Sequence, residues 1–392
     1  MDSTITITRR LASINMFLQR QAITQQLVLE NLLLSAAITF LLHFISSLNK
    51  MTSSVLVVLF LSLLFVVPYD KVAAQSVGVC YGMLGNDLPS RPEAVQLIQS
   101  VGFKKVRLYV PDGGALDALR KTGIEVNLGM YKEDLHRIAN DASFASSWIS
   151  SNVQPYLPDV NFKYITVGNE VIPHAEAQYV LPAMKNMVNA LGSVGLREQI
   201  KVSTSVSMEV IGVSYPPSQG SFSDQAAPFM GPIVQFLAST GAPLMVNVYP
   251  YFSYVGNRQN IQLDYALFTA NRVVVKDPNN GLEYRNLFDA MVDSVNSAME
   301  RAGAAGVPIQ VSESGWPSAG GNDPTVTTIG NAQTYNQNLV GHAAQGTPKR
   351  PGPMEIFVFA LFNENQKTPA GVENNWGLFY PNKQPVYSFS VN

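Results

Sequence analysis

The sequence predicts an α/β fold, a single (β/α)8 TIM barrel with a small subdomain inserted after the sixth strand. Two observations carry that expectation. Eight short runs rich in Val, Ile and aromatic residues occupy 77–81, 105–109, 125–129, 163–168, 201–205, 244–249, 308–312 and 355–361. Such near-continuous apolar runs suit parallel strands covered on both faces. Stretches with helical spacing fall between them, and strand and helix alternate with no second block of composition. That is the pattern of one closed parallel barrel.

The helical stretches carry their own start and stop signals. The segment 92–101 opens on Pro92, which suits the first turn of a helix. Segments 114–121 and 142–154 follow. Segment 177–194 stops at Gly195, 228–239 near Gly241, 284–301 at Gly303 and 331–344 at Gly346. Glycine readily takes the left-handed turn that closes a helix. Segment 250–283 is longer than a plain βα loop. It is expected to form the inserted subdomain at the C-terminal face of the barrel, with a short strand at 272–276.

The barrel is assigned to residues 75–392. Upstream, residues 55–68 form an apolar run, and Val72-Ala73-Ala74 supplies small residues before Gln75. This is the layout of a secretory signal, so 51–74 is read as a signal peptide cut after Ala74. Met51 stands where such a signal begins, and residues 1–50 are read as a non-native or disordered extension. The alternative is a membrane anchor formed by the second apolar stretch, 31–48.

Composition excludes several classes of function. The formal net charge is −2 and 14% of residues are charged, which offers no basic face to nucleic acid. The lone cysteine, Cys80, allows no internal disulfide and sits in an apolar run, so it reads as a buried, inert thiol. No Asn-x-Ser/Thr acceptor occurs in 75–392. His136, His174 and His342 are scattered without metal-ligand spacing, so no metal is expected. There is no Gly-x-Ser-x-Gly elbow and no glycine-rich phosphate loop after a strand.

The chemistry-bearing residues lie at strand ends, where such barrels build their sites. Tyr164-Ile165-Thr166-Val167-Gly168-Asn169-Glu170 and Ile309-Gln310-Val311-Ser312-Glu313 each put a glutamate at the mouth of an apolar run. A carboxyl there is costly unless something uses it. The fourth and seventh strands lie nearly across the barrel mouth. Opposed carboxyls about 5–5.5 Å apart suit retaining cleavage of a glycosidic bond, and about 6.5–9.5 Å suits inversion. One must keep its proton while the other is ionised. Taken alone, either glutamate is equally a rim salt bridge.

Neighbouring residues supply candidate supports. Asn169 suits a sugar hydroxyl, and Trp316, after Ser314-Gly315, suits the wall of a sugar subsite. Tyr249 could hydrogen-bond a nucleophilic carboxylate, and Phe252 could stack on a sugar; both read equally as rim packing. Glu364 and Lys367 close the eighth strand, as sugar contacts or as a loop salt bridge. Tyr109 ends the second strand, as a subsite residue or a buried tyrosine.

In order along the chain, these motifs resemble plant glucan endo-1,3-β-glucosidases, glycoside hydrolase family 17. The resemblance runs over 76–389 and includes Gly78-Val79-Cys80-Tyr81-Gly82, Val167-Gly168-Asn169-Glu170, Asn247-Val248-Tyr249-Pro250-Tyr251-Phe252, the Glu313 motif, Phe362-Asn363-Glu364-Asn365 and Trp376-Gly377-Leu378-Phe379-Tyr380-Pro381. It implies a barrel with an open groove, Glu170 as acid/base, Glu313 as nucleophile, retained configuration and no cofactor. It implies supporting roles for Tyr109, Tyr249, Glu364 and Lys367. The implied partner is a β-1,3-glucan substrate, such as callose or fungal wall glucan, acted on by a monomer. The rival readings are hydrolysis of mixed β-1,3-1,4-glucan and a non-catalytic glucan-binding wall protein. Trp376 stands where phenylalanine is usual and Val110 where a polar residue is common. Without an apolar tail or a C-terminal extension, secretion to the apoplast is expected ahead of the vacuole.

Overall fold

A computed structural model of the chain describes residues 76–391. The readings of 1–50 and 51–74 fall outside these residues. Eight strands form the barrel: β1 Val77–Tyr81, β2 Lys105–Leu108, β3 Glu125–Gly129, β4 Asn161–Asn169, β5 Lys201–Val206, β6 Leu244–Asn247, β7 Ile309–Ser314 and β8 Ile356–Val358. All pair in parallel with their neighbours, and β1 closes the ring by pairing with both β2 and β8.

The strands hold because both faces are covered. In β2, Val106 and Leu108 are buried in the hydrophobic core that the surrounding helices share, so the alternating Lys105 and Arg107 turn inward. The barrel interior is accordingly a stack of hydrogen-bonded polar side chains. At its lower end Lys105 bonds Glu125 at 2.5 Å and Glu355 at 2.7 Å, while Tyr164 and Gln310 donate to Glu355. Above them Thr166 donates to Asn127 at 2.5 Å. Each of these buried polar side chains has a partner, which offsets the cost of taking it out of water.

The helices begin and end where local chemistry allows. In Arg91–Val101, Glu93 accepts from the Ser90 backbone N–H and hydroxyl, and Gly102 closes the helix at φ +98°. Asp112, Asp141, Asn286 and Thr328 cap four more helices by accepting backbone N–H bonds.

The structure adds elements that the sequence did not announce. Lys132–Asn140 is a helix that buries only Leu135 and Ile138. The segment after β6 holds the helices Pro250–Gly256 and Leu263–Ala266 and a two-stranded antiparallel ribbon, Val275–Lys276 with Glu283–Tyr284. The strand expected at 272–276 is thus confined to its last two residues. A second ribbon, Ile211–Val213 with Ser221–Phe222, follows β5. Among the described residues no helix is long and apolar enough to cross a membrane.

Candidate active site

Both glutamates follow an irregularity in the barrel ladder. Between β4 and β5 the register runs Thr166 with Ser203 and then Asn169 with Ser205, an extra residue on β4. Between β7 and β6 it runs Val311 with Val246 and then Glu313 with Asn247. A bulge turns the following side chains away from the regular alternation and is common beside active sites. Gly168 at φ +77° and Glu170 at φ +55° complete the turn on β4. The left-handed region is uncommon for a residue with a Cβ and is sustained only where the surroundings over-determine it. Here the Glu170 N–H is held by the Ser205 carbonyl at 2.8 Å.

A cleft of about 570 Å3 opens above the strand ends. Tyr109, Asn169, Glu170, Tyr249, Phe252, Glu313 and Lys367 all line it, so seven of the nine residues singled out from the sequence meet there. Glu313 lies on the floor. Its Oε1 accepts from Arg107 Nη1 at 2.7 Å and its Oε2 accepts from the Tyr249 hydroxyl at 2.6 Å. Glu170 faces the cleft with one protein donor, Asn247 Nδ2, at 2.8 Å from its Oε1.

The two carboxyls therefore differ in electrostatics. The crowding of protein around the Glu170 carboxyl, and next the negative charge of Glu313, push its pKa above the usual carboxylate range. The Asn247 bond and Arg107 pull the other way. Burial, with the Glu313 charge adding to it, raises the Tyr249 phenol well above its ordinary value, so its proton stays on to be donated. Burial does the same for Tyr109, whose hydroxyl has no protein hydrogen-bond partner. The Tyr109 ring lies 4.7 Å from the Arg107 guanidinium.

Two candidates fall elsewhere. Trp316 is fully buried and does not line the cleft. Its indole N–H donates to the Val326 carbonyl at 2.9 Å, and its ring packs against Tyr251 and Tyr335. It therefore does not form the sugar-facing wall expected from the sequence. Trp376 does line the cleft, although only 2% exposed, with its ring 5.1 Å from Tyr249 and 5.7 Å from Phe252. Glu364 is also buried and belongs to an adjoining cavity of about 460 Å3, which Val110 lines as well. Glu364 accepts from the Leu84 N–H at 2.8 Å and pairs with Lys367 at 3.4 Å. Lys367 lines both cavities and lies 4.1 Å from the centre of the Phe359 ring.

Sequence reasoning missed the residues that hold the glutamates. Arg107 reaches Glu313, the Ser312 carbonyl at 3.0 Å and Asn169 at 2.7 Å. Asn247 joins Glu170 to the interior of the barrel. Glu209 and Glu373 also line the cleft. The signal for Arg107 was a lone guanidinium inside an apolar strand; a buried charge demands a partner. Among the described residues no group of His, Cys, Asp or Glu is arranged to hold a metal ion.

The family profile described as Glycosyl hydrolases family 17 matches residues 77–391. A glucan endo-1,3-beta-glucosidase of Vitis vinifera is 50% identical over 325 residues, covering 82% of this chain and 93% of its own length. The basic vacuolar isoform GLB of Nicotiana tabacum is 52% identical over 335 residues, covering 84% and 89%. Among solved structures, the beta-1,3-glucanase and pollen allergen CJP38 of Cryptomeria japonica superposes with a TM-score of 0.77 at 49% identity, covering 81% of this chain and all of that one. A plant beta-glucan endohydrolase gives 0.76 at 49% identity, covering 80% and 99%. With its parallel barrel and its paired carboxyls at one cleft, this chain belongs to glycosyl hydrolases family 17 and is a glycoside hydrolase.

Proposed function

We propose that the chain is an endo-hydrolase of β-1,3-glucan that works by double displacement with retention, Glu313 being the nucleophile and Glu170 the acid/base. The observation that carries this reading is the unequal surroundings of the two carboxyls. Glu313 has a guanidinium and a phenol on its two oxygens, donors suited to an ionised carboxylate. Glu170 has one amide donor and a raised pKa, the condition of a group that must deliver a proton.

In the first step a Glu313 oxygen attacks the anomeric carbon as the bond to the leaving sugar breaks. The Glu170 proton passes to the departing oxygen. In the second, Glu170 takes a proton from water, the water oxygen attacks the same carbon, and Glu313 leaves as carboxylate. Two inversions give net retention. The β-1,3 linkage is supported by the printed activity of the relatives, each about half identical over most of its length. Phe252, 48% exposed at the cleft edge, is suited to stacking on sugar rings, with the buried Trp376 ring packed against it at 5.7 Å. Tyr109, Asn169 and Lys367 are suited to its hydroxyls. Entry into the secretory path follows from the apolar run at 55–68; extracellular delivery is the reading adopted, although relatives include vacuolar isoforms.

The test is a product profile on laminarin beside mixed-linkage glucan, with wild type, Glu170→Gln and Glu313→Gln. Wild type should release short oligomers from laminarin and leave mixed-linkage glucan largely intact. Each variant should fold normally and lose about 10²–10⁴-fold or more of the rate. Full activity in either variant, or preference for the mixed-linkage polymer, overturns the assignment.

A further inference from the structure

Asn247 at the end of β6 makes every hydrogen bond its amide can offer, joining the cleft to the buried interior of the barrel. One Nδ2 proton goes to Glu170 Oε1 at 2.8 Å and the other to Asn169 Oδ1 at 3.2 Å. Its Oδ1 accepts from Ser205 at 2.9 Å, Ser312 at 2.8 Å and Arg107 Nη1 at 3.3 Å. Asn247, Ser205 and Ser312 are buried at 2%, 0% and 0% exposure. They come from three adjacent strands, β6, β5 and β7.

The amide cannot turn over. Reversed, its oxygen would face the Glu170 carboxyl and the Asn169 oxygen, and its N–H groups would face the Arg107 guanidinium. The contacts with the Asn169 oxygen and with Arg107 would be repulsive whether or not Glu170 holds its proton, so the network itself fixes the assignment. The two serine hydroxyls lie 2.7 Å apart. Two hydroxyl protons serve three close contacts, so at least one always reaches Asn247 Oδ1.

We propose that Asn247, anchored by Ser205 and Ser312, is a positioning residue that fixes the Glu170 carboxyl in the cleft and keeps an N–H aimed at its Oε1. The proposal rests on Glu170 being the acid/base. A donor to one oxygen leaves the other free to face the leaving group, and it limits how tightly Glu170 keeps its proton. The other charged groups acting on Glu170 are Glu313 from β7, Arg107 from β2 and Glu209 from the turn after β5. Glu209 is itself 3.2 Å from His174. Of these neighbours only Asn247 makes a hydrogen bond to the Glu170 side chain.

The experiment compares pH profiles of kcat/KM on laminarin for wild type, Asn247→Asp and the double variant Ser205→Ala, Ser312→Ala, with Glu170→Gln as control. Asn247→Asp keeps the acceptor for the serines and Arg107 but puts an oxygen where the donor was. Its alkaline limb should move up by about one pH unit or more. The serine variant leaves the amide less restrained; kcat should fall about ten- to a hundredfold with KM nearly unchanged, and the limb should move upward by a smaller amount. Thermal melts identify folded protein, and the serine variant carries the test should Asn247→Asp not fold. Unmoved limbs with an inactive Glu170→Gln overturn the role of Asn247 and leave the functional reading standing. Full activity in Glu170→Gln overturns both.

Discussion

Asp293 offers a measurement of what burial costs this fold, far from the cleft. It lies in the helix Leu287–Arg301 and is 0% exposed. Thr347, the Lys349 N–H, Asn296 and Tyr284 donate to it at 2.5, 2.9, 3.2 and 3.1 Å. Burial nevertheless wins over these four donors and pushes its pKa from 3.8 up to about 6. A carboxyl that holds its proton more tightly when folded stabilises the fold only while protonated. The contribution is complete below the unfolded value of 3.8 and is lost as pH rises through about 6. At about 1.4 kcal/mol per pH unit, the gap is worth about 3 kcal/mol. Asn at 293 does not titrate, and whatever its exchange of hydrogen bonds costs is the same at every pH. Urea unfolding of wild type and Asp293→Asn at pH 4 and pH 7 should therefore show the variant gaining about 2.4 kcal/mol on wild type between the two conditions, short of the full gap because the unfolded carboxyl is already partly ionised at pH 4. Other titrations are common to both proteins and cancel. Parallel dependence of the two proteins on pH would refute the reasoning.

Arg107→Met should leave the Glu313 carboxyl buried with Tyr249 as its remaining hydrogen-bond partner, costing about 3–5 kcal/mol of stability along with activity. Urea melts check it, and stability within about 0.5 kcal/mol of wild type would contradict it. Glu209→Gln removes a negative charge that helps to raise Glu170. The alkaline limb of kcat/KM should fall slightly at low salt, and the difference should fade at high salt because Glu209 and its partner His174 are both exposed. A limb that rises, or a shift indifferent to salt, counts against an electrostatic origin.

The fold was legible because apolar runs are a local signal. All eight predicted strands have counterparts in the barrel, though β8 shrinks to Ile356–Val358. Beyond it the backbone bonds partners that no local pattern announces: Ala360 to the Trp376 carbonyl and Leu361 to that of Cys80. Lys132–Asn140 was missed for the opposite reason. Four of its nine residues are charged, and two buried side chains make too thin a stripe to read as a helix face. Pro250–Gly256 falls in the segment expected as an inserted subdomain, but no helix was expected there. Pro250 opens one at its first turn.

The candidate site divides along the same line. A glutamate closing an apolar run is visible in one dimension, and so is a tyrosine two residues beyond a strand. Asn247 looked like one more residue of β6, since its value lies in partners 42 to 140 positions away, Ser205 and Arg107 being the two extremes. Trp316 shows the converse. Its position after Glu313 suggested a role beside the substrate, but neighbours in sequence diverge in space. Trp376, 60 positions further on by number, lines the cleft where Trp316 does not. What a linear reading gives here is the reacting groups. What it withholds is the set of buried hydrogen bonds that makes two chemically identical side chains unequal, and that inequality is the source of the proposed chemistry.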